Sequence, residues 1–428
     1  MPSALSGPSR HPPGLYVLFF TELWERYSFY SMMAILTLYM DEVLRFDAVR
    51  IGRVYGAYLG GVYLMPLAGG LLADRMLGFS RAVVLGGVIM TLGHLALALD
   101  AQPAFYGGLA LLACGSGLLK PNVSTLVGNL YRDRPALRDA GFNIFYMGIN
   151  LGGLIAPLGV AWLRARFGWG VAFGSAALAM VASLVVFVAG RRWLDNAVHA
   201  VSAASSPAPL STSEARERVL TLLVVFLVSA VFWLAFYQSG FTLTLFARDN
   251  VRTSAPPETF QAIEPLGVIL FSGAAAAIWT MLRTRGSEPS TPVKMLAGIL
   301  IAAAAFVLLA IAGLAGGDTT RVSPAWLVSA YLTIALGEVC LSPMGLSLVS
   351  RVAPPRTRGV MMGAWFVSLS AGGYASGVLG RWWILMPHSH YFLDVAATLA
   401  VAALVLAAAL PRIRRVVERV DASEKRCH

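Results

Sequence analysis

Glu22-Leu-Trp-Glu-Arg-Tyr-Ser-Phe-Tyr30 sits inside an otherwise apolar run, Tyr16 to Met40, that is long enough to cross a bilayer. Ionised groups at membrane depth are costly unless they face a protein interior or a water-filled cavity. At about 100° per residue, Glu22, Glu25, Arg26, Phe29 and Tyr30 fall within roughly 140° of one helical face. A membrane helix with one charged stripe lines a path for something polar, which makes transport the first reading of the chain.

The surrounding sequence agrees. Hydrophobic residues make up 57% of the 428, only 13% are charged, and the mean hydropathy is +0.69, far from the soluble range. Apolar windows of about 20 residues recur along the whole length, each enough for a hydrocarbon core of roughly 30 Å. Helices are predicted over 16–40, 52–73, 82–99, 104–130, 139–163, 169–190, 219–246, 261–282, 295–315, 325–350, 358–380 and 391–411. The predicted fold class is therefore an all-α polytopic membrane protein with twelve spans. Its connectors leave no room for a soluble catalytic domain.

A net charge of +11 invites a nucleic-acid partner, but the distribution argues against one. With both termini inside, clusters such as Arg132/Arg134/Arg138, Arg191/Arg192 and Arg412/Arg414/Arg415 fall on the cytoplasmic side. About 22 of the 33 Lys and Arg lie inside, about 9 outside, and Arg26 and Lys120 within spans. The basic surplus is topological. Met1 to Gly14 is polar and Pro-rich and does not read as a cleavable signal. Cys114, Cys340 and Cys427 suggest neither a disulfide framework nor a metal site, and no cofactor is implied.

The chain also repeats itself. Gly115-Ser-Gly-Leu-Leu-Lys-Pro-Asn-Val-Ser-Thr-Leu-Val127 aligns with Gly337-Glu-Val-Cys-Leu-Ser-Pro-Met-Gly-Leu-Ser-Leu-Val349, matching Gly115/Gly337, Leu119/Leu341, Pro121/Pro343, Leu126/Leu348 and Val127/Val349. The fourth span thus corresponds to the tenth, as in two six-helix halves related by an axis along the membrane normal. A Ser/Ala/Pro-rich stretch between the sixth and seventh spans marks the same division. The expected organisation is a cytoplasmic tail (1–15), a first bundle (16–193), a linker (194–217), a second bundle (218–412) and a cytoplasmic tail (413–428).

Local motifs narrow the class. Gly69-Gly-Leu-Leu-Ala-Asp74-Arg75-Met-Leu-Gly78-Phe-Ser-Arg81, between the second and third spans, resembles the loop signature of the major facilitator superfamily. Its acidic and basic residues can latch the inward end, so Asp74, Arg75 and Arg81 are the expected gating loop. Glu22-Leu-Trp-Glu-Arg-Tyr-Ser-Phe-Tyr30 resembles the ExxERFxYY motif of the proton-dependent oligopeptide transporter (POT) family. Gly117-Leu-Leu-Lys120-Pro-Asn-Val, followed by Phe142-Asn-Ile-Phe-Tyr146-Met-Gly-Ile-Asn150-Leu-Gly, is similar to that family's helix 4 and 5 pattern. Gly337-Glu338-Val-Cys-Leu-Ser-Pro343-Met-Gly-Leu-Ser, with Trp365 beyond, resembles its helix 10 and 11 pattern. The resemblance runs from about residue 16 to 410.

Deep in the spans, three carboxylates (Glu22, Glu25, Glu338) face two cations (Arg26, Lys120), so the sets cannot be fully paired. A carboxylate that shares its cation with an incoming anionic group can take and release a proton. A peptide is a zwitterion: its carboxylate suits Arg26 or Lys120, its ammonium suits Glu338, and its amide suits Asn150. Charge-assisted hydrogen bonds of this kind replace lost hydration. The resemblance implies a major facilitator fold and proton-coupled symport of di- and tripeptides by rocking of the two halves. It implies that Glu22, Glu25, Arg26 and Lys120 couple protons. It also implies that Tyr30, Tyr63, Lys120, Asn150, Trp233, Glu338 and Trp365 line the substrate pocket, with Lys120 on the substrate carboxylate and Glu338 on its amino group. Monomers in a bacterial inner membrane are expected to suffice.

Several positions depart from the family pattern. Tyr237, in Phe232-Trp-Leu-Ala-Phe-Tyr237-Gln238-Ser-Gly, stands where many members carry an acid. Glu264, in Ile263-Glu264-Pro265-Leu, stands where Asn is usual. One carboxylate is lost and another appears on the adjoining helix, so Glu264 is expected to join the proton-coupling and substrate sets, paired with Arg26, Lys120 or the substrate. The competing reading is that Glu264 decorates a helix N-terminus, where negative charge is favourable. Phe29 replaces the usual Tyr and removes a hydroxyl from the pocket wall, while Gly56 falls where animal members carry His.

Blander readings stand beside these. Glu22 with Arg26 is an i,i+4 pair that can merely neutralise itself. Lys120 could snorkel if it were near a helix end, and the aromatic residues could be ordinary packing. His94 reads as a satisfied structural residue, and Asn122-Val-Ser124 lies within a span, which excludes glycosylation. Besides peptide symport, the same fold suits another small zwitterionic or anionic solute: a modified peptide, an amino-acid derivative or a nitrate-like anion. A membrane sensor would need a signalling domain, and an enzyme would need a nucleophile–base set or a metal cluster. The sequence offers neither.

Overall fold

The computed structural model describes residues 11–99, 101–132, 134–198, 211–316, 318–354 and 357–427. The amino-terminal tail before His11 and linker residues 199–210 lie outside these. Thirteen helices follow in order: α1 (Pro13–Glu42), α2 (Ala48–Leu72), α3 (Phe79–Ala98), α4 (Gln102–Leu130), α5 (Pro135–Ala189), α6 (Asp195–Val198), α7 (Thr212–Phe236), α8 (Thr242–Asn250), α9 (Ile263–Thr284), α10 (Thr291–Gly316), α11 (Pro324–Val352), α12 (Arg358–Gly380) and α13 (His388–Cys427). An isolated bridge between Val251 and Val322 is the β-structure found among the described residues.

Eight helical stretches among them are long and apolar enough to cross a membrane on length and composition. One of these, Ala140–Ala189, holds two predicted spans. Gly168, at φ 82°, breaks α5 between them, in a backbone region that residues with a Cβ rarely adopt. Large apolar side chains such as Leu178, Val185, Leu227, Leu314 and Leu404 are exposed, as a lipid-facing surface requires.

The seventh predicted span, 219–246, is a correction. It is not one helix: α7 stops at Phe236, Tyr237–Gly240 form a 3-10 turn, and α8 restarts at Thr242. Carbonyls freed by a break at membrane depth need new donors. Here Tyr55 donates to the Tyr237 carbonyl (2.8 Å), Tyr331 and Thr244 to Ser239 (3.0 and 2.9 Å), and Thr37 to Gly240 (2.6 Å). The last helix is also longer than predicted. It runs through Pro411 to Cys427, past the predicted end of the span at 411.

Two compact units emerge. Described residues within Met1–Leu36 and Gly61–Ala203 form one, and those within Thr37–Gly60 and Ala204–His428 form the other. The first and second helices are therefore each divided between the units. Within each, the predicted repeat has a physical counterpart. A side chain on Gly86 or Gly115 would strike the other's carbonyl at 2.6 Å, which brings α3 and α4 into backbone contact. Gly298 and Gly337 do the same for α10 and α11, at 2.6 and 2.8 Å. Gly115 and Gly337 are the aligned glycines, and Pro121 and Pro343 follow at matching positions inside α4 and α11.

Candidate functional site

In the first unit, the charged stripe of α1 is buried against α5. Glycines make this possible: a Cβ on Gly152 would lie 2.5 Å from the Leu23 carbonyl and 2.7 Å from Arg26 Cβ. Glu22 and Arg26 are 5% exposed and Glu25 is fully buried, so their charges must be answered inside the protein. Arg26 does so with a two-pronged grip on Glu25, Nε to Oε2 at 2.5 Å and Nη2 to Oε1 at 2.6 Å. Its Nε also lies 3.2 Å from Glu22 Oε1. The i,i+4 spacing singled out Glu22; the nearer partner is the adjacent Glu25.

Lys120 on α4 completes this set differently. Its ammonium sits over the Phe29 ring at 4.5 Å and the Tyr63 ring at 4.9 Å, within electrostatic range of Glu22, Glu25 and Arg26. No ion pair within 4 Å claims it among the described residues. Arg26 also lies over Phe29 (5.1 Å) and Tyr30 (6.0 Å). The structure thus gathers Glu22, Glu25, Arg26, Phe29, Tyr30, Tyr63 and Lys120. Asn150 is buried on α5 and spends its amide on its own helix, donating to Tyr146 O at 3.0 Å. Asp74, Arg75 and Arg81 are exposed around a π-helical turn, with no ion pair among the described residues. His94 is buried on α3, and neither ring nitrogen has a partner there, contrary to a satisfied structural role.

The second unit is built on the α7–α8 break. Gln238 pins it: its amide donates to Leu234 O, Ser376 O and Ser376 Oγ, and its carbonyl accepts from Thr242 (2.9 Å) and Tyr391 (2.8 Å). Trp233 stacks on Tyr237 at 5.6 Å, and its indole nitrogen is buried without a partner among the described residues. Trp365 on α12 packs against Gly345 of α11, where any side chain would collide with the indole at 2.1 Å. Glu264 on α9 is 8% exposed, and its carboxyl interacts directly with that of Glu338 on α11. Glu264's structural neighbour is therefore another acid.

Sequence reasoning missed the hydroxyls of Thr37, Tyr55, Tyr331 and Tyr391. Their signal was weak, because each is one polar atom in an apolar helix. Gln238-Ser-Gly240 was a visible clue to the break, since two polar residues and a glycine interrupt the apolar run.

Comparison with known proteins gives consistent matches. A family model described as the POT family matches residues 80–208 and 196–383. A peptide transporter of Yersinia enterocolitica is 33% identical over 86% of this chain and 88% of its own. A di-/tripeptide transporter of Lactococcus lactis is 31% identical over 83% and 86%. A mutant POT peptide transporter solved in complex with alafosfalin superposes with a TM-score of 0.88, at 34% identity, covering 96% of both chains.

Proposed function

The chain belongs to the POT family of membrane transporters, and from that premise we propose that it carries di- and tripeptides into the cell together with protons, by alternating access. The observation that carries this reading is the ammonium of Lys120, in no ion pair among the described residues, beside the closed Glu22–Glu25–Arg26 set. A substrate carboxylate arriving at Lys120 enters a field that Arg26 and the two glutamates already share. Charge redistributes among them, and a proton is taken up or released at Glu22 or Glu25. The substrate ammonium goes to Glu338 and Glu264, two acids with no cation of their own among the described residues.

Phe29, Tyr30, Tyr63, Asn150, Trp233, Tyr237 and Trp365 supply the walls against which the peptide lies. Asp74, Arg75 and Arg81 form the inner gating loop. The bundles 16–193 and 218–412 are the moving bodies, joined by the linker 194–217. The protein works as a monomer in a bacterial inner membrane with both termini cytoplasmic. An inward-negative potential favours uptake of net positive charge, by about 2.3 kcal/mol per elementary charge per 100 mV.

Labelled dipeptide uptake into proteoliposomes tests this, with wild type beside Lys120→Ala and competition by tripeptides, amino acids and nitrate. Inhibition by tripeptides and not by amino acids or nitrate is expected, with uptake lost in the variant. Strong competition by nitrate or single amino acids would favour a different small solute instead.

A further inference from the structure

Glu264 on α9 and Glu338 on α11 interact through their side chains, and Glu338 Oε2 is buried with no hydrogen-bond partner among the described residues. Val268, Ala275, Ala335 and Val339, with Phe271 and Trp279 packed on them, make the contact between these two helices apolar. Several other titratable and charged groups on the elements packed around the pair have partners of their own. Tyr331 donates to Ser239 O, and Tyr391 donates to Gln238. Lys294 on α10 bonds Glu288 at 2.6 Å, and Cys340 lies on its side of α11. Arg248 on α8 is held by Asp41 and Asp249, and Arg283 at the end of α9 by Glu288. Glu258 is a further buried acid, on the turn leading into α9. Among the described residues, neither Glu264 nor Glu338 forms an ion pair.

Glu264 is buried and Glu338 half-buried with its Oε2 shut away, and two such adjoining carboxylates strongly disfavour being charged together unless two positive charges join them. A peptide with uncharged side chains brings one near its amino terminus, the α-ammonium. The second must be a proton. Resting on the peptide reading above, we propose that Glu264 and Glu338 form a two-charge cation site that selects among peptides by the charge of their first residue. An ordinary peptide fills it with its ammonium plus one proton shared by the two carboxyls. A peptide with a basic first residue fills it with two amines, and the shared proton leaves to solvent. Glu264 is then the specificity-determining residue, since a single acid at Glu338 would need no proton for either substrate.

Linkage makes this countable. Isothermal titration calorimetry of the purified full chain, in two buffers of different ionisation enthalpy, gives the protons exchanged on binding alanyl-alanine, lysyl-alanine and alanyl-lysine. Lysyl-alanine should bind with about one proton fewer than alanyl-alanine, so the ratio of their Kd values moves about tenfold per pH unit in favour of lysyl-alanine as pH rises. Alanyl-lysine, with its extra charge at the other end, should follow alanyl-alanine. In Glu264→Gln the difference between the first two should vanish, whatever their absolute affinities become. Equal proton counts in the wild-type protein, or a difference that survives in Glu264→Gln, overturn the proposal. The wild-type count decides the matter even if the variant does not fold. Failure of all three peptides to bind would instead bring down the peptide reading, and this site with it.

Discussion

Arg26 and Glu264 are both buried ionisable groups in apolar helices, and the two units treat them in opposite ways. The first unit closes its accounts internally: Glu25 and Glu22 converge on Arg26, and aromatic rings cradle Lys120. The second unit sets Glu264 against Glu338 and leaves both without a cation among the described residues. A buried ion set that is complete without cargo stabilises the fold and fixes its helices. One that is incomplete waits for cargo. The same cost of burying charge is thus met by a closed ion set around Arg26 and left open at the Glu264–Glu338 pair.

Removing a member of the complete set should have the largest effect. Arg26→Leu strands Glu22 and Glu25 without their ion-pair partner, at a cost of about 3–5 kcal/mol. Thermal unfolding in detergent should show a steep loss, partly recovered when Glu25→Gln is added. An Arg26→Leu protein as stable as wild type would break the contrast between the units. Lys120→Ala comes next and should separate stability from activity. Because no ion pair holds Lys120, unfolding should shift little. Losing a charge-assisted contact worth about 2–3 kcal/mol should weaken dipeptide binding roughly 30- to 150-fold. Equal losses of stability and binding would mean that Lys120 belongs to the closed set.

The matched glycine crossings sharpen the comparison by showing where the units are alike. Gly115→Ala and Gly337→Ala each force a methyl group toward an opposing backbone carbonyl, and each should cost about 1–3 kcal/mol. Similar costs support a shared architecture, whereas a tolerated Gly337→Ala beside a damaging Gly115→Ala would limit the repeat to sequence. The smallest effect is expected outside the spans. Glu288 accepts from Arg283 and Lys294, and these bonds, the Arg283 one foremost, hold its pKa down at about 2. A depressed carboxylate stabilises the fold above its ordinary range, and that contribution fades as pH falls toward 2. Acid unfolding curves of Glu288→Gln should lack this shallow slope, and an unchanged slope would assign it to other groups.

Much of this was legible in the chain itself, for definite reasons. The α1 stripe showed because three charges in an apolar run have few places to point, and the break at Gly168 falls in the gap left between the predicted spans 139–163 and 169–190. The Gly115/Gly337 alignment pointed to a repeat, and both glycines prove to lie at close helix crossings. Arg26's grip on Glu25 was not legible, because spacing rules for helices favour i,i+4 and rank neighbours in sequence as non-facing. Nor was the α7–α8 break, whose hydroxyl donors come from distant residues such as Thr37 and Tyr331. Glu264 was read as a replacement acid seeking a cation. Its nearness to Glu338 depends on how α9 packs on α11, which no local pattern encodes.

The most direct measurement is accumulation of a labelled dipeptide in proteoliposomes at zero membrane potential, with an acidic exterior and an equal peptide concentration on both sides. Proton-coupled symport predicts that the peptide concentrates inside, against its own gradient, and that a protonophore abolishes the effect. A peptide that merely equilibrates, with or without the pH gradient, would contradict it.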